Sequence, residues 1–518
     1  MLKRFKTLPI HPFLIAAYAV LALLSHNIEE IKPDVATRSL LVSLVASSLL
    51  FLVLRIFIRD WQRAAILATI TLTLFFSYGH VYDFLEQTSI LGLSLGRHRI
   101  LAPLWLVIWV VSFWWIARQK RDLSTWTQAL NTIAIISLVF PLAQLGLFNA
   151  QLLEASSSHN AQASTSTPLS LPKDRPAPDI YYIILDAYSR DDTLQEVYHL
   201  DNAPFLDQLE QSGFYVARCS QSNYSQTQLS LSSSLNFNYL ETLSSYYTPE
   251  HNTRVGIEDF IRHSAARQNL EQLGYKIVAF ETGFKNTQWE DADVYLSPRS
   301  NPLSNIQVLN GINSFEDLLL RTSAGLLLMD STTVLPQFLK PDFNNPQKIH
   351  RDLILYDLDQ LYNLPAMPGP KFVFAHMIIP HPPYVFGPNG EYIDYDREDI
   401  PAYRDQVMYI NKRILTLVQH IISTSATPPI IILQGDHGGV ITAPTDRMKI
   451  FNAYYLPDGG SQNLYPDITP INSFRVIFDT YFGGNYPLLK DTSLYSTYEQ
   501  PFNYTVIPDD RPGCSAKQ

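Results

Sequence analysis

Five apolar stretches occupy residues 1–149: Leu8 to Ser25, Ser39 to Ile58, Ala64 to Phe84, Ile100 to Ile116 and Trp126 to Phe148. A bilayer core takes about 20 apolar residues as one helix. Inside it every backbone polar group must be bonded within the segment, so such stretches form helices. A cleaved leader would account for the first alone. The pattern predicts an all-α, five-helix transmembrane anchor.

Positive charge orients it, because short cytoplasmic loops retain Lys and Arg. Lys3, Arg4 and Lys6 precede the first stretch, Arg55, Arg59 and Arg63 separate the second from the third, and Arg118, Lys120 and Arg121 the fourth from the fifth. The alternate connections hold Lys32, Arg38, Arg97 and Arg99 among Glu29, Glu30, Asp34, Asp83 and Glu86. With the N-terminus inside and an odd number of spans, everything after Phe148 is predicted to lie on the extracytoplasmic side of the cell membrane.

Residues 150–178 are rich in Ser, Ala, Thr and Pro and read as a tether; residues 179–518 form the remaining domain. A net charge of −10, with no basic run in this part, argues against nucleic acid as a partner. Cys219 and Cys514 fit either a disulfide or two unrelated thiols. Apolar runs at Ile180 to Leu185, Lys276 to Phe280, Phe372 to Ala375, Ile430 to Leu433 and Ala453 to Leu456 read as strands. Helical patterns lie between them at Ala203 to Gly213, Ser264 to Leu273 and Asp405 to Ser423. Alternation of this kind predicts an α/β domain, a mostly parallel sheet with helices on both faces.

In such sheets ligands gather beyond the carboxyl ends of the strands. Asp186 follows the first run, His376 and His381 lie in HMIIPHPPY, and Asp436 and His437 follow Ile430 to Leu433 within QGDHGG. Adjacent Asp and His after a buried strand, with glycines that let the chain turn, suit a divalent cation. NYSQTQLSLSSSLN offers hydroxyls nearby, Thr227 among them. His376 reads equally as a core histidine. Arg190, Asp191, Arg447 and Lys449 read as solvated charges.

Order and spacing of these segments resemble the alkaline phosphatase/sulfatase superfamily. PDIYYIILDAYSRDD resembles its first strand and metal aspartate, NAPFLDQLEQSGF the following helix, NYSQTQLSLSSSLN the nucleophile segment and GDHGG the second metal-binding turn. Five spans and a tether are similar to the layout of lipoteichoic acid synthases and phosphoethanolamine transferases. The resemblance implies one divalent metal, manganese, magnesium or zinc, on Asp186, Thr227, Asp436 and His437. Thr227 is the implied nucleophile, and His381, with His376, the implied group for phosphoryl oxygens or the leaving alkoxide. The implied activity is metal-dependent phosphoester hydrolysis or transfer on lipid-linked or cell-envelope substrates, with the bilayer itself as partner. A sulfuric ester hydrolase would need a formylglycine precursor in a Cys/Ser-x-Pro-x-Arg core, which Cys219 and the serines near Thr227 lack. No histidine follows His437, so one metal is the economical expectation. A silent envelope scaffold on the same fold is the non-enzymatic alternative; it would be expected to have lost one of these residues.

Overall fold

A computed structural model of the chain describes residues 8–86, 89–90, 93–94, 96–119, 121–158, 169–171, 176–298, 313–330, 346–393, 399–439, 442–511 and 514. Lys3, Arg4, Lys6, Lys120 and residues 159–168 and 172–175 of the expected tether lie outside them. The chain forms two compact units, one of Met1–Ala150 with Val308–Asn344 and one of Gln151–Gln307 with Asn345–Gln518.

The first unit contains α1 (His11–His26), α2 (Thr37–Ile58), α3 (Trp61–Glu86), α4 (His98–Arg118) and α5 (Ser124–Ser157). The last four are long and apolar enough to cross a membrane; α1, with 16 residues, is shorter. On α2 the polar side is turned inward. Ser39, Ser43 and Ser47 are buried, while Leu41, Val45, Leu49, Ile56 and Phe57 are exposed, the arrangement of a helix whose solvent is hydrocarbon. The helix α5 runs on to Ser157, past the expected tether start at residue 150. Gln151, Leu152, Leu153, Glu154 and Ala155 are good helix formers, and the Ser- and Ala-rich composition conceals this.

Residues 313–330 belong to this unit although they lie far along the chain. Asn313 and Glu316 form a capping box, Arg38 pairs with Glu316, and Phe315 is buried with Val20, Leu24, Ile28 and Ala36. A Cβ on Gly79 would sit 2.1 Å from the Arg321 carbonyl oxygen, so only glycine allows this approach. His98 Nε2 lies 2.6 Å from Asp330 Oδ2. These contacts gather where α1 and α3 end and α2 and α4 begin. Arg55, Arg59, Arg63 and Arg118 lie at the opposite helix ends.

The second unit is built on a sheet ordered β2-β7-β6-β1-β5-β3-β4, from β1 (Ile180–Leu185), β2 (Tyr215–Val216), β3 (Lys276–Phe280), β4 (Val294–Leu296), β5 (Lys371–Met377), β6 (Ile430–Gln434) and β7 (Asn452–Tyr455). β1 pairs in parallel with β5 on one side and β6 on the other; only β7 brings antiparallel pairing, with β6 and β2. Successive residues of a strand point to opposite faces. Tyr181, Ile183, Leu185, Val373, Ala375, Ile431 and Leu433 share one core, and Ile180, Tyr182, Ile184, Phe372, Phe374, Ile430 and Ile432 the other. Both faces are buried, which is why these strands read as unbroken apolar runs.

The longer helices are α6 (Ala203–Gln211), α7 (Thr227–Leu235), α8 (Ala265–Gln272), α9 (Pro346–Asn363), α10 (Ile400–Thr424) and α11 (Pro470–Phe482). Val407, Ile410, Ile414 and Val418 of α10 are all buried, as their spacing predicts. Cys219 and Cys514 form a disulfide with a Cα–Cα distance of 5.3 Å.

Candidate metal and nucleophile site

The parallel strands β1, β5 and β6 end side by side, and the residues that follow them converge. Asp186 comes straight after β1, its N–H donating to the Met377 carbonyl 3.0 Å away at the end of β5. The next residue, Ala187, has φ +63°, a left-handed conformation that an alanine holds only where its surroundings fix it. Its N–H donates to Asp436 Oδ1 at 3.0 Å, which ties the β1 turn to the β6 turn. Gly435 permits that turn, since a Cβ there would lie 2.5 Å from the Tyr188 carbonyl oxygen. Ser230 Oγ of α7 donates to the Asp436 carbonyl at 2.8 Å and fixes the helix that begins with Thr227.

Thr227 Oγ1 lies 3.2 Å from His437 Nε2. The other ring nitrogen, Nδ1, lies 2.8 Å from the Gly438 carbonyl oxygen, which only accepts; the proton therefore sits on Nδ1, and Nε2 presents its lone pair. That nitrogen is also 3.7 Å from Asp186 Oδ1 and 3.6 Å from Asp436 Oδ2. On β5, His376 stands opposite Ile184 of β1, with Nδ1 2.9 Å from Thr287 Oγ1 and Nε2 3.2 Å from Asp186 Oδ2. Donor atoms of Asp186, His376 and Asp436 all fall within 4.8 Å of one another. The implied ligand set left His376 to the substrate; here it stands among the carboxylates.

Whether these residues fit a cation can be judged from their unused atoms. Asp186 Oδ1, Asp436 Oδ2 and His376 Nε2 are buried without a hydrogen-bond partner. Leaving even one such atom unsatisfied costs about 1–3 kcal/mol, more for a charged group. Two carboxylates, imidazole lone pairs and a hydroxyl aimed at one point suit a divalent ion. Burial pushes the Asp186 carboxyl up, but His381, His376 and His437 outweigh it and hold it well below the usual carboxylate range. Burial, with Arg447 alongside, holds the His437 imidazole below its ordinary value. Both are thus in the form a metal ligand requires.

His381 donates its backbone N–H to the Asp186 carbonyl at 3.1 Å, and its Nδ1 is 2.7 Å from the Pro382 carbonyl oxygen. That leaves its Nε2 as the nitrogen able to take up or hand on a proton. Arg447 corrects the expectation of a solvated charge. Its Nε donates to the Ser225 carbonyl at 2.9 Å and its Nη2 lies 3.4 Å from His437 Nε2. Arg190 and Lys449 are buried. Arg190 pairs with Asp192 and Asp509, and Lys449 with Asp446 and Asp510, while Asp191 pairs with Arg511. Asp509 and Arg511 reach Arg190 and Asp191 from more than 300 residues away, pairings that no local pattern announces.

His350, on α9, is a further group the sequence did not single out. Its Nε2 is buried without a partner, and burial, with His381 nearby, pushes the imidazole down to about 4. On the same helix, burial with Glu281 alongside holds the Asp357 carboxyl well above the usual range. The folded chain therefore binds this proton more tightly than the unfolded chain. The contribution is full at low pH and lost as pH rises through the folded value. Asp357→Asn is expected to raise the melting temperature of the full chain at pH 8 by about 2–4 °C, the shift about 1 kcal/mol gives a large domain, and by less at pH 5. Scanning fluorimetry at the two pH values measures it; a lower melting temperature at pH 8 would contradict the assignment.

The chain matches no protein-family profile and no curated protein. Among solved structures it is similar to the C-terminal periplasmic domain of EcEptC from Escherichia coli, with 12% identity, a TM-score of 0.41 and coverage of 67% of this chain and 98% of that one. Another is the integral membrane lipooligosaccharide phosphoethanolamine transferase A (EptA) from Neisseria meningitidis, with 10% identity, a TM-score of 0.38 and coverage of 92% and 94%. A third is a protein in the alkaline phosphatase superfamily from Vibrio parahaemolyticus, with 13% identity, a TM-score of 0.38 and coverage of 68% and 82%.

Proposed function

We propose that the chain is a membrane-anchored, metal-dependent phosphoester hydrolase or phosphotransferase that acts through a covalent phosphothreonine on Thr227, on lipid-linked or cell-envelope substrates. The observation that carries this reading is the buried cluster itself, where a threonine hydroxyl meets an imidazole lone pair and three buried donor atoms without partners. A divalent ion on Asp186, Asp436, His437 and Thr227, with His376 as a further donor, would stabilise the threonine alkoxide and offset charge on the phosphoryl oxygens.

The residues of the chain do the rest. Thr227 enters as the alkoxide, its proton lost to solvent. Its oxygen attacks phosphorus, and an O–P bond forms as the bond to the leaving alkoxide breaks. His381, entering as the imidazolium, gives that alkoxide its Nε2 proton. Water or an acceptor alcohol then attacks the phosphothreonine, passes its proton to His381, and the threonine oxygen leaves. Arg447 donates to phosphoryl oxygens from the His437 side. The packing of residues 313–330 at the end of the helix bundle away from Arg55, Arg59, Arg63 and Arg118 supports an extracytoplasmic site.

The test uses the full chain in detergent. Metal content is measured alongside turnover of an aryl phosphate, an aryl phosphodiester and an aryl sulfate, with manganese, magnesium or zinc and after chelation. Expected are bound metal, phosphoester turnover that chelation abolishes, and a phosphate adduct on the Thr227 peptide after acid quench. A chain that binds no metal, or turnover that survives chelation, would overturn the reading.

A further inference from the structure

Three consecutive residues, Ser225, Gln226 and Thr227, are gripped from two sides. Arg447 holds the Ser225 carbonyl next to His437. On the other side Arg254 Nη1 donates to Gln226 Oε1 at 2.8 Å, and the Arg254 guanidinium lies over the Tyr498 ring, 5.0 Å from its centroid. Gln226 is almost wholly buried, and its amide nitrogen donates onward to Ser496 Oγ at 3.1 Å and the Thr497 carbonyl at 3.0 Å. Its orientation is therefore fixed, and with it the place of Arg254. Tyr498 is 54% exposed and lies within electrostatic reach of Arg447, Asp186 and Asp436, which puts this guanidinium on the open side of the cluster, whereas Arg447 stands beside His437.

One phosphoryl group at Thr227 takes up the cation site and Arg447. A second guanidinium at the rim, stacked on an exposed aromatic ring and held by a buried amide, has the geometry that reads a further anion by a planar fork. We propose that Arg254 and Tyr498 form a rim subsite for a second phosphate carried by the same substrate molecule as the reacting one. The inference rests on the reading of Thr227 as the reacting centre. Glu499, fully exposed and within electrostatic reach of Arg254, is the like-charged neighbour such a group would meet.

Calorimetric titration of the manganese-loaded full chain with propyl phosphate and with 1,3-propanediol bisphosphate tests it. The wild type is expected to prefer the bisphosphate by about tenfold, one charge-assisted contact's worth. Arg254→Gln should reduce that preference to the twofold that two equivalent phosphates give on their own. Arg254→Lys should keep part of it, and Glu499→Gln should enlarge it. No preference in the wild type, or one unchanged in Arg254→Gln, would overturn the subsite. Because the readout is binding, loss of turnover or of the phosphothreonine would count against the reaction and leave this comparison intact.

Discussion

Thr227→Ala is expected to lower phosphoester turnover by about 10⁴-fold or more, the scale on which loss of a covalent nucleophile is felt, and to abolish the acid-stable phosphate adduct. The side chain makes one hydrogen bond, to His437 Nε2, and opens α7 at a position where alanine is well tolerated. The melting temperature of the metal-free chain should therefore change little, whereas metal affinity should fall, because the Thr227 oxygen is itself one of the proposed ligands. Thr227→Ser should keep measurable turnover, since it keeps the hydroxyl and loses only the methyl group that restricts its rotation. If Thr227→Ala turned over the aryl phosphodiester as fast as the wild type, the attacking oxygen would have to come from elsewhere, and a bound water would take its place.

Asp436→Asn should separate stability from activity. The amide keeps an oxygen for the Ala187 N–H, so the strained turn at Ala187 survives. It removes a negative charge that is wholly buried and has one oxygen without a partner. The metal-free variant is thus expected to be more stable than the metal-free wild type, by about 1 kcal/mol or more. Its metal affinity should drop by at least about 100-fold and its turnover by about 10³-fold, as loss of a direct ligand requires. Calorimetric metal titration and thermal melts with and without metal measure both. A variant that binds metal as the wild type does would remove Asp436 from the ligand set.

Much of this was legible in the sequence. Strands buried on both faces leave unbroken apolar runs, and β1, β3, β5, β6 and β7 were readable to within two residues at each end. The first polar residues after those runs, Asp186 and the Asp436–His437 pair, stand together in the fold because parallel strands end on one edge. His376 was ambiguous for a physical reason. It shares a face with Phe372 and Phe374, so its pattern is that of a core residue, and only the register opposite Ile184 puts it beside Asp186. Arg254, His350 and Arg447 come from connections and from a helix start, where no period marks them. The disulfide and the Arg190–Asp509 pair join distant positions, which spacing does not encode.

Residues 313–330 also bear on how the protein can be handled. Removing the first 150 residues would take away the surface against which Phe315 is wholly buried and would leave Glu316 without Arg38. What remained would carry a leucine-rich pair of helices with nothing to cover it, an adhesive patch in water. Such a fragment would be prone to clump or to cling to detergent and lipid even with its chemistry intact. A shortened form meant for solution work would need these residues excised together with the N-terminal helices.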